Sequence, residues 1–83
     1  MFDVRWSDRA EQELAAAWTS AADRDAVTRA SNRVDFLLSR DPLAQGESRS
    51  GNARLMYERP LSVLYRVIPA AQVVWVVTVR ADA

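Results

Sequence analysis

The chain has 83 residues, and its eleven basic residues, all arginine, balance eleven Asp plus Glu, with no Lys, His or Cys. That length predicts one domain over residues 1–83, with no room for a second core. The absent cysteines and histidines argue against disulfides, thiol chemistry, a Ser–His nucleophilic triad and the usual transition-metal sites, so no metal or cofactor is expected.

Charge is polarised along the chain. Residues 1–48 carry six Arg against nine acids, a net of −3, and residues 49–83 carry five Arg against Glu58 and Asp82, a net of +3. Zero overall charge argues against an indiscriminate nucleic-acid binder, while the basic half is consistent with one face meeting an anionic partner. The N-terminus lacks an apolar h-region and no apolar run approaches membrane-spanning length. A soluble, cytoplasmic protein without a membrane partner is expected.

In chain order, Phe2-Asp3-Val4-Arg5-Trp6 alternates apolar and charged residues and predicts a strand. Ser7 reads as a helix N-cap, with Asp8 and Glu11 where the helix dipole favours acids. Ala10, Leu14, Ala17, Trp18 and Ala21 then recur at helical spacing. Asp23 caps a second predicted helix, with the stripe Val27, Ala30, Val34, Leu37 and Leu38, which Pro42 ends. Residues 43–53 hold both glycines and read as a loop.

Three strand-like runs follow: 54–58, 61–68 and 72–80, separated by Arg59-Pro60 and Pro69-Ala70-Ala71. Leu61, Val63, Tyr65 and Val67, then Val73, Trp75, Val77 and Val79, fall at odd positions, while Arg54, Glu58, Arg66 and Arg80 are even. Successive side chains on a strand point to opposite faces. The expectation is an antiparallel meander with an odd, apolar face for packing and an even, arginine-bearing open face. Tyr57, Tyr65, Trp75 and Trp18 read as core residues on this pattern. The fold class is α+β: a first strand, a helical hairpin packed on one sheet face, and about four antiparallel strands in the order β-α-α-β-β-β, the first strand at an edge.

The strand ending in Trp6-Ser7, the helical hairpin, Gly51-Asn52-Ala53-Arg54 and the run Pro60-Leu61-Ser62-Val63-Leu64-Tyr65-Arg66-Val67 together resemble the RelE/ParE superfamily, the toxins of bacterial type II toxin–antitoxin modules. Members of that family either cleave messenger RNA on the ribosome or poison DNA gyrase. The resemblance implies a cognate antitoxin laid over the hairpin and the open sheet face. It implies ribosome and mRNA as targets, with gyrase as the alternative. A binding module that keeps the fold without activity is a third reading.

Where the family's nucleases place a third-strand arginine this chain has Ser62, and their basic position after the last strand falls near Asp82. RNA transesterification needs a base for the 2′-hydroxyl, charge stabilisation at phosphate and an acid for the leaving oxygen. The candidates are Arg54, Arg66 and Arg80 for the phosphate and Glu58 as base, with Arg49 in the loop and Ser62 on the third strand as further phosphate contacts.

Overall fold

The computed structural model describes residues 1–81. The elements are β1 (Asp3–Trp6), α1 (Asp8–Ser20), α2 (Arg24–Arg40), β2 (Glu47–Ser48), β3 (Ala53–Glu58), β4 (Leu61–Ile68), a 3-10 turn over Pro69–Ala71, and β5 (Val73–Ala81). The strands form one sheet in the order β1-β5-β4-β3-β2. The expected α+β class and element order hold, with two differences. The sheet has five strands because Glu47 and Ser48, in the segment read as a loop, pair antiparallel with Leu55 and Arg54. It is also mixed: β1 is the expected edge strand but runs parallel to β5. The helical hairpin carries the chain across to the far edge, and the antiparallel meander brings β5 back beside β1 in the same direction.

Both helix starts are built as the sequence predicts. The Ser7 Oγ accepts from Ala10 N at 3.0 Å and the Asp23 carboxylate from Ala26 N at 3.1 Å, each satisfying one of the amides a helix N-terminus leaves unpaired. The hairpin buries Ala10 and Ala17 from α1 and Val27, Ala30, Val34 and Leu38 from α2. All but Ala17 join one core with Met56 of β3, the odd residues Leu61 to Val67 of β4, and Val74, Val76 and Val79 of β5. Full burial of the valine, leucine and methionine side chains contributes roughly 1.5–3 kcal/mol each. Trp18 departs from its expected core place. It stands 43 % exposed, one helical step past buried Ala17, with the Arg24 guanidinium 4.7 Å from its ring centroid.

Beyond Val76, β5 has lost β1 as a neighbour, and α1 and its cap take over that edge. Ser7 Oγ donates to Val77 O at 2.9 Å, and Glu13 Oε1 accepts from both Thr78 Oγ1 (2.6 Å) and Val79 N (3.0 Å). A strand edge with unmet backbone groups invites foreign pairing; here a serine and a glutamate occupy it. The Thr78 hydroxyl, then the Val79 amide and Arg9, hold the Glu13 carboxyl below the usual carboxylate range despite some opposing desolvation.

Register decides which side chains share a face. In the β3–β4 hairpin Glu58 pairs with Leu61 across the two-residue turn Arg59-Pro60. Even positions of β3 therefore stand beside odd positions of β4. Between β4 and β5, Ile68 pairs with Val73 and Tyr65 with Val76, but Leu64 pairs with Thr78. Val77 is the extra residue of a β-bulge, and the alternation of β5 changes phase there. The core residues of β5 are accordingly Val74, Val76 and Val79, and not the expected unbroken odd series.

Candidate functional site

The sheet face turned away from the helices is crossed by four rows of directly paired residues, which lie side by side on one face, the last being Ile68, Val73 and Asp3 on β4, β5 and β1. Tyr57, Ser62 and Arg80 form the first row on β3, β4 and β5; Leu55, Leu64 and Thr78 form the second. Ala53, Arg66, Trp75 and Arg5 form the third, which extends onto β1. At about 3.3 Å per residue, the first and third rows lie about 13 Å apart along β4.

The expected even-numbered constellation therefore divides. Arg66, Arg80 and Ser62 are on the open face, with both arginines exposed and neither in an ion pair with another described residue. Arg66 and Arg80 stand in different rows and do not meet at one point. Arg54 and Glu58, expected on the same face, lie on the helix side, because the two-residue turn reverses the parity between β3 and β4.

Both are occupied there. Arg54 lies opposite Tyr65 and donates to Gln45 O (3.0 Å), Ser48 Oγ (3.0 Å) and Gly46 O (3.3 Å), so its guanidinium fastens the loop between α2 and β3. Glu58 reaches Arg33 of α2 at 3.3 Å. Arg49 lies just past β2, three strands from β5, with Nη1 at 3.3 Å from both Glu47 Oε2 and Ser48 O. The position near Asp82 lies outside the described residues.

Two aromatic residues read as core lie on the open face instead. Tyr57, 62 % exposed, stands opposite Ser62, which in turn stands opposite Arg80. One row thus holds a phenol, a hydroxyl and a guanidinium: proton-carrying groups beside an anion-binding one. Trp75 stands between Arg66 and Arg5, with the Arg5 guanidinium 5.9 Å from its ring centroid. The signals for both were in the connections: a two-residue turn flips parity, and the Trp75-to-Arg80 spacing needs a bulge if both are to face outward. Tyr65 keeps its expected core place. Fully buried, its hydroxyl lies 2.8 Å from Pro42 O and 2.7 Å from Gln45 O. Burial raises its pKa above the usual phenol range, against a smaller lowering by Arg54.

No family model and no curated protein matches the sequence. The architecture does match solved structures. The toxin–antitoxin complex RelBE2 of Mycobacterium tuberculosis aligns with a TM-score of 0.78 and 19 % identity, over 99 % of this chain and 92 % of that one. The chromosomal ParDE toxin–antitoxin system of P. aeruginosa gives 0.73 and 18 %, over 100 % and 98 %. The isolated E. coli RelE toxin gives 0.72 and 16 %, over 100 % and 86 %. The chain has the fold of the RelE/ParE toxins. Among the described residues, no helix is long and apolar enough to cross a membrane.

Proposed function

We propose that the protein is the toxin of a type II toxin–antitoxin module, and that it inhibits translation by cleaving mRNA on the ribosome while a cognate antitoxin neutralises it. The observation that carries this reading is the open row Tyr57–Ser62–Arg80, on a fold shared with RelE. In the cleavage, the 2′-oxygen attacks the adjacent phosphorus, its proton passes to a base, and the 5′-oxygen leaves with a proton. The products are a 2′,3′-cyclic phosphate and a 5′-hydroxyl. Arg80 is suited to the charge that builds on the phosphate. The Tyr57 phenol is placed to carry a proton, and Ser62 between them to hold a phosphate oxygen. Glu58, paired with Arg33 on the other face, has no part in this arrangement. The antitoxin partner is supported by neighbours that are themselves toxin–antitoxin complexes.

The test is translation of a defined message in a reconstituted system with purified protein, with the message ends mapped afterwards. Cuts within ribosome-bound message support the reading, and an intact message refutes it. A second reading, inhibition of DNA gyrase, is favoured by the ParDE match, whose TM-score lies beside that of RelE. Loss of gyrase supercoiling with the message intact would select it.

A further inference from the structure

The third row of the open face is unlike the first. Arg5, Trp75 and Arg66 are directly paired across β1, β5 and β4, an indole flanked by two guanidinium groups. The row ends at Ala53, whose methyl leaves the surface low on that side. With strands about 4.8 Å apart, the two arginines stand about 10 Å from each other with the ring midway. Trp75 is 37 % exposed, and with Asn52, Arg66, Ile68 and Val77 it lines a shallow depression on this face. Trp75 stands on the face opposite the core residues Val74 and Val76, with more than a third of it open to solvent.

We propose that the Arg5–Trp75–Arg66 row is a subsite for single-stranded RNA, in which one base stacks on the Trp75 indole and the phosphates on either side lie against Arg5 and Arg66. The inference rests on the reading of the open face as directed to RNA, and it assigns a second contact about 13 Å from the Tyr57–Ser62–Arg80 row. Every base offers a π-face, so stacking of this kind accepts any sequence, and a guanidinium beside the ring adds a cation–π contribution. Charge agrees with the assignment. The acids that the strands place on this face are Asp3 and Glu47, and each already bridges an arginine, Arg5 at 2.8 Å and Arg49 at 3.3 Å. The Arg5–Asp3 pair is exposed on both sides, so it competes weakly with a phosphate, and a guanidinium has five N–H donors to share. A duplex, whose bases are stacked on one another, cannot offer a face to the indole.

The probe is a fluorescein-labelled RNA hexamer with 2′-O-methyl riboses, which binds but cannot be cleaved, alongside the same hexamer without bases. Binding to the purified full chain is read by anisotropy. Trp75→Ala is expected to weaken binding about five- to 150-fold, the range for loss of one stacked base. Trp75→Phe should stay close to the parent, and Trp18→Ala, on the helical hairpin, should change nothing. The baseless hexamer should bind the parent as weakly as the intact hexamer binds Trp75→Ala. Arg5→Ala and Arg66→Ala should each lower the salt dependence by about one phosphate contact. Equal binding by Trp75→Ala and parent, equal binding of the two hexamers, or no binding by the parent overturns the subsite. A Trp75→Ala chain that melts like the parent shows that lost binding is not lost folding. Message cleavage, measured separately, keeps the two ideas apart. Cleavage with no Trp75 effect removes the subsite and leaves the nuclease, while stacking without cleavage removes the nuclease and leaves the subsite.

Discussion

Arg54 and Tyr65, paired directly across β3 and β4, donate to the same carbonyl, that of Gln45, at 3.0 and 2.7 Å. One backbone oxygen is thereby the shared anchor by which the sheet holds the loop after α2. The two side chains are coupled, and their removal will not be additive. Tyr65→Phe is expected to cost about 1–3 kcal/mol, since the buried hydroxyl's contacts with Pro42 O and Gln45 O are lost, and Arg54→Ala about 1–2 kcal/mol. In the double variant, the one that removes both donors of Gln45 O, the loss should exceed the sum by about 0.5 kcal/mol or more, measured by urea unfolding. The raised Tyr65 pKa adds a pH signature: full stability up to the ordinary phenol pKa near 10, then a decline as the unfolded chain ionises and the folded one resists. Tyr65→Phe should show a smaller alkaline decline.

Glu13 gives the opposite sign. Its pKa is lowered in the folded protein, by the Thr78 hydroxyl first. Its contribution is therefore complete above the ordinary glutamate value of about 4.3 and is lost as the pH falls through the lowered folded value. Glu13→Gln should destabilise by about 1–2 kcal/mol at pH 7 and by less in acid. Thermal melts of both chains from pH 7 to pH 3 should converge.

Arg80→Ala is expected to slow message cleavage about 10²- to 10³-fold, as for loss of one preorganised anion donor. Tyr57→Phe should slow it about 10²- to 10⁴-fold if the phenol moves a proton. Glu58→Gln should leave the rate within a few-fold and shift stability by about 1 kcal/mol at most, as expected for a surface ion pair. A large rate loss in Glu58→Gln with normal rates in Tyr57→Phe would reverse the assignment of roles. Single-turnover cleavage on ribosomes distinguishes them.

The two glycines should respond differently to alanine. Gly46 has φ +65°, and a Cβ there would lie 2.4 Å from the Leu55 carbonyl oxygen, so backbone would have to move. Gly51 has φ +68° with open space around it. Gly51→Ala should cost about 1–2 kcal/mol, the left-handed penalty alone. Gly46→Ala should cost clearly more, seen as a lower denaturant midpoint.

The helices were legible because each carries its own start and stop: Ser7 and Asp23 cap them, Pro42 follows the second, and the stripe Val27–Ala30–Val34–Leu38 is buried as its spacing predicts. The odd series of β4 was legible for a similar reason, being a regular strand with one face covered throughout. Faces did not carry over from strand to strand, because face is a property of pairing and not of numbering. The two-residue turn at Arg59-Pro60 sent Arg54 and Glu58 to the covered side and Tyr57 to the open one. The bulge at Val77 brought Trp75 out while leaving Arg80 where it was expected. The strand at Glu47-Ser48 was hidden because two residues are too few to show a period, and its place depends on its partner β3.

Val77 also makes length, as well as residue type, a determinant of the open face. Trp75 and Arg80 are five positions apart, an odd step that would put them on opposite sides of a regular strand. Deleting one residue between them would restore an even step and regular pairing while changing no functional side chain. With the bulge gone, alternation alone would keep the indole and the guanidinium outward, each opposite the β4 residue it pairs with now. Interval and bulge are therefore tied together, and a relative that shares this surface should have either five residues with a bulge or four without one, even where little else in β5 is alike.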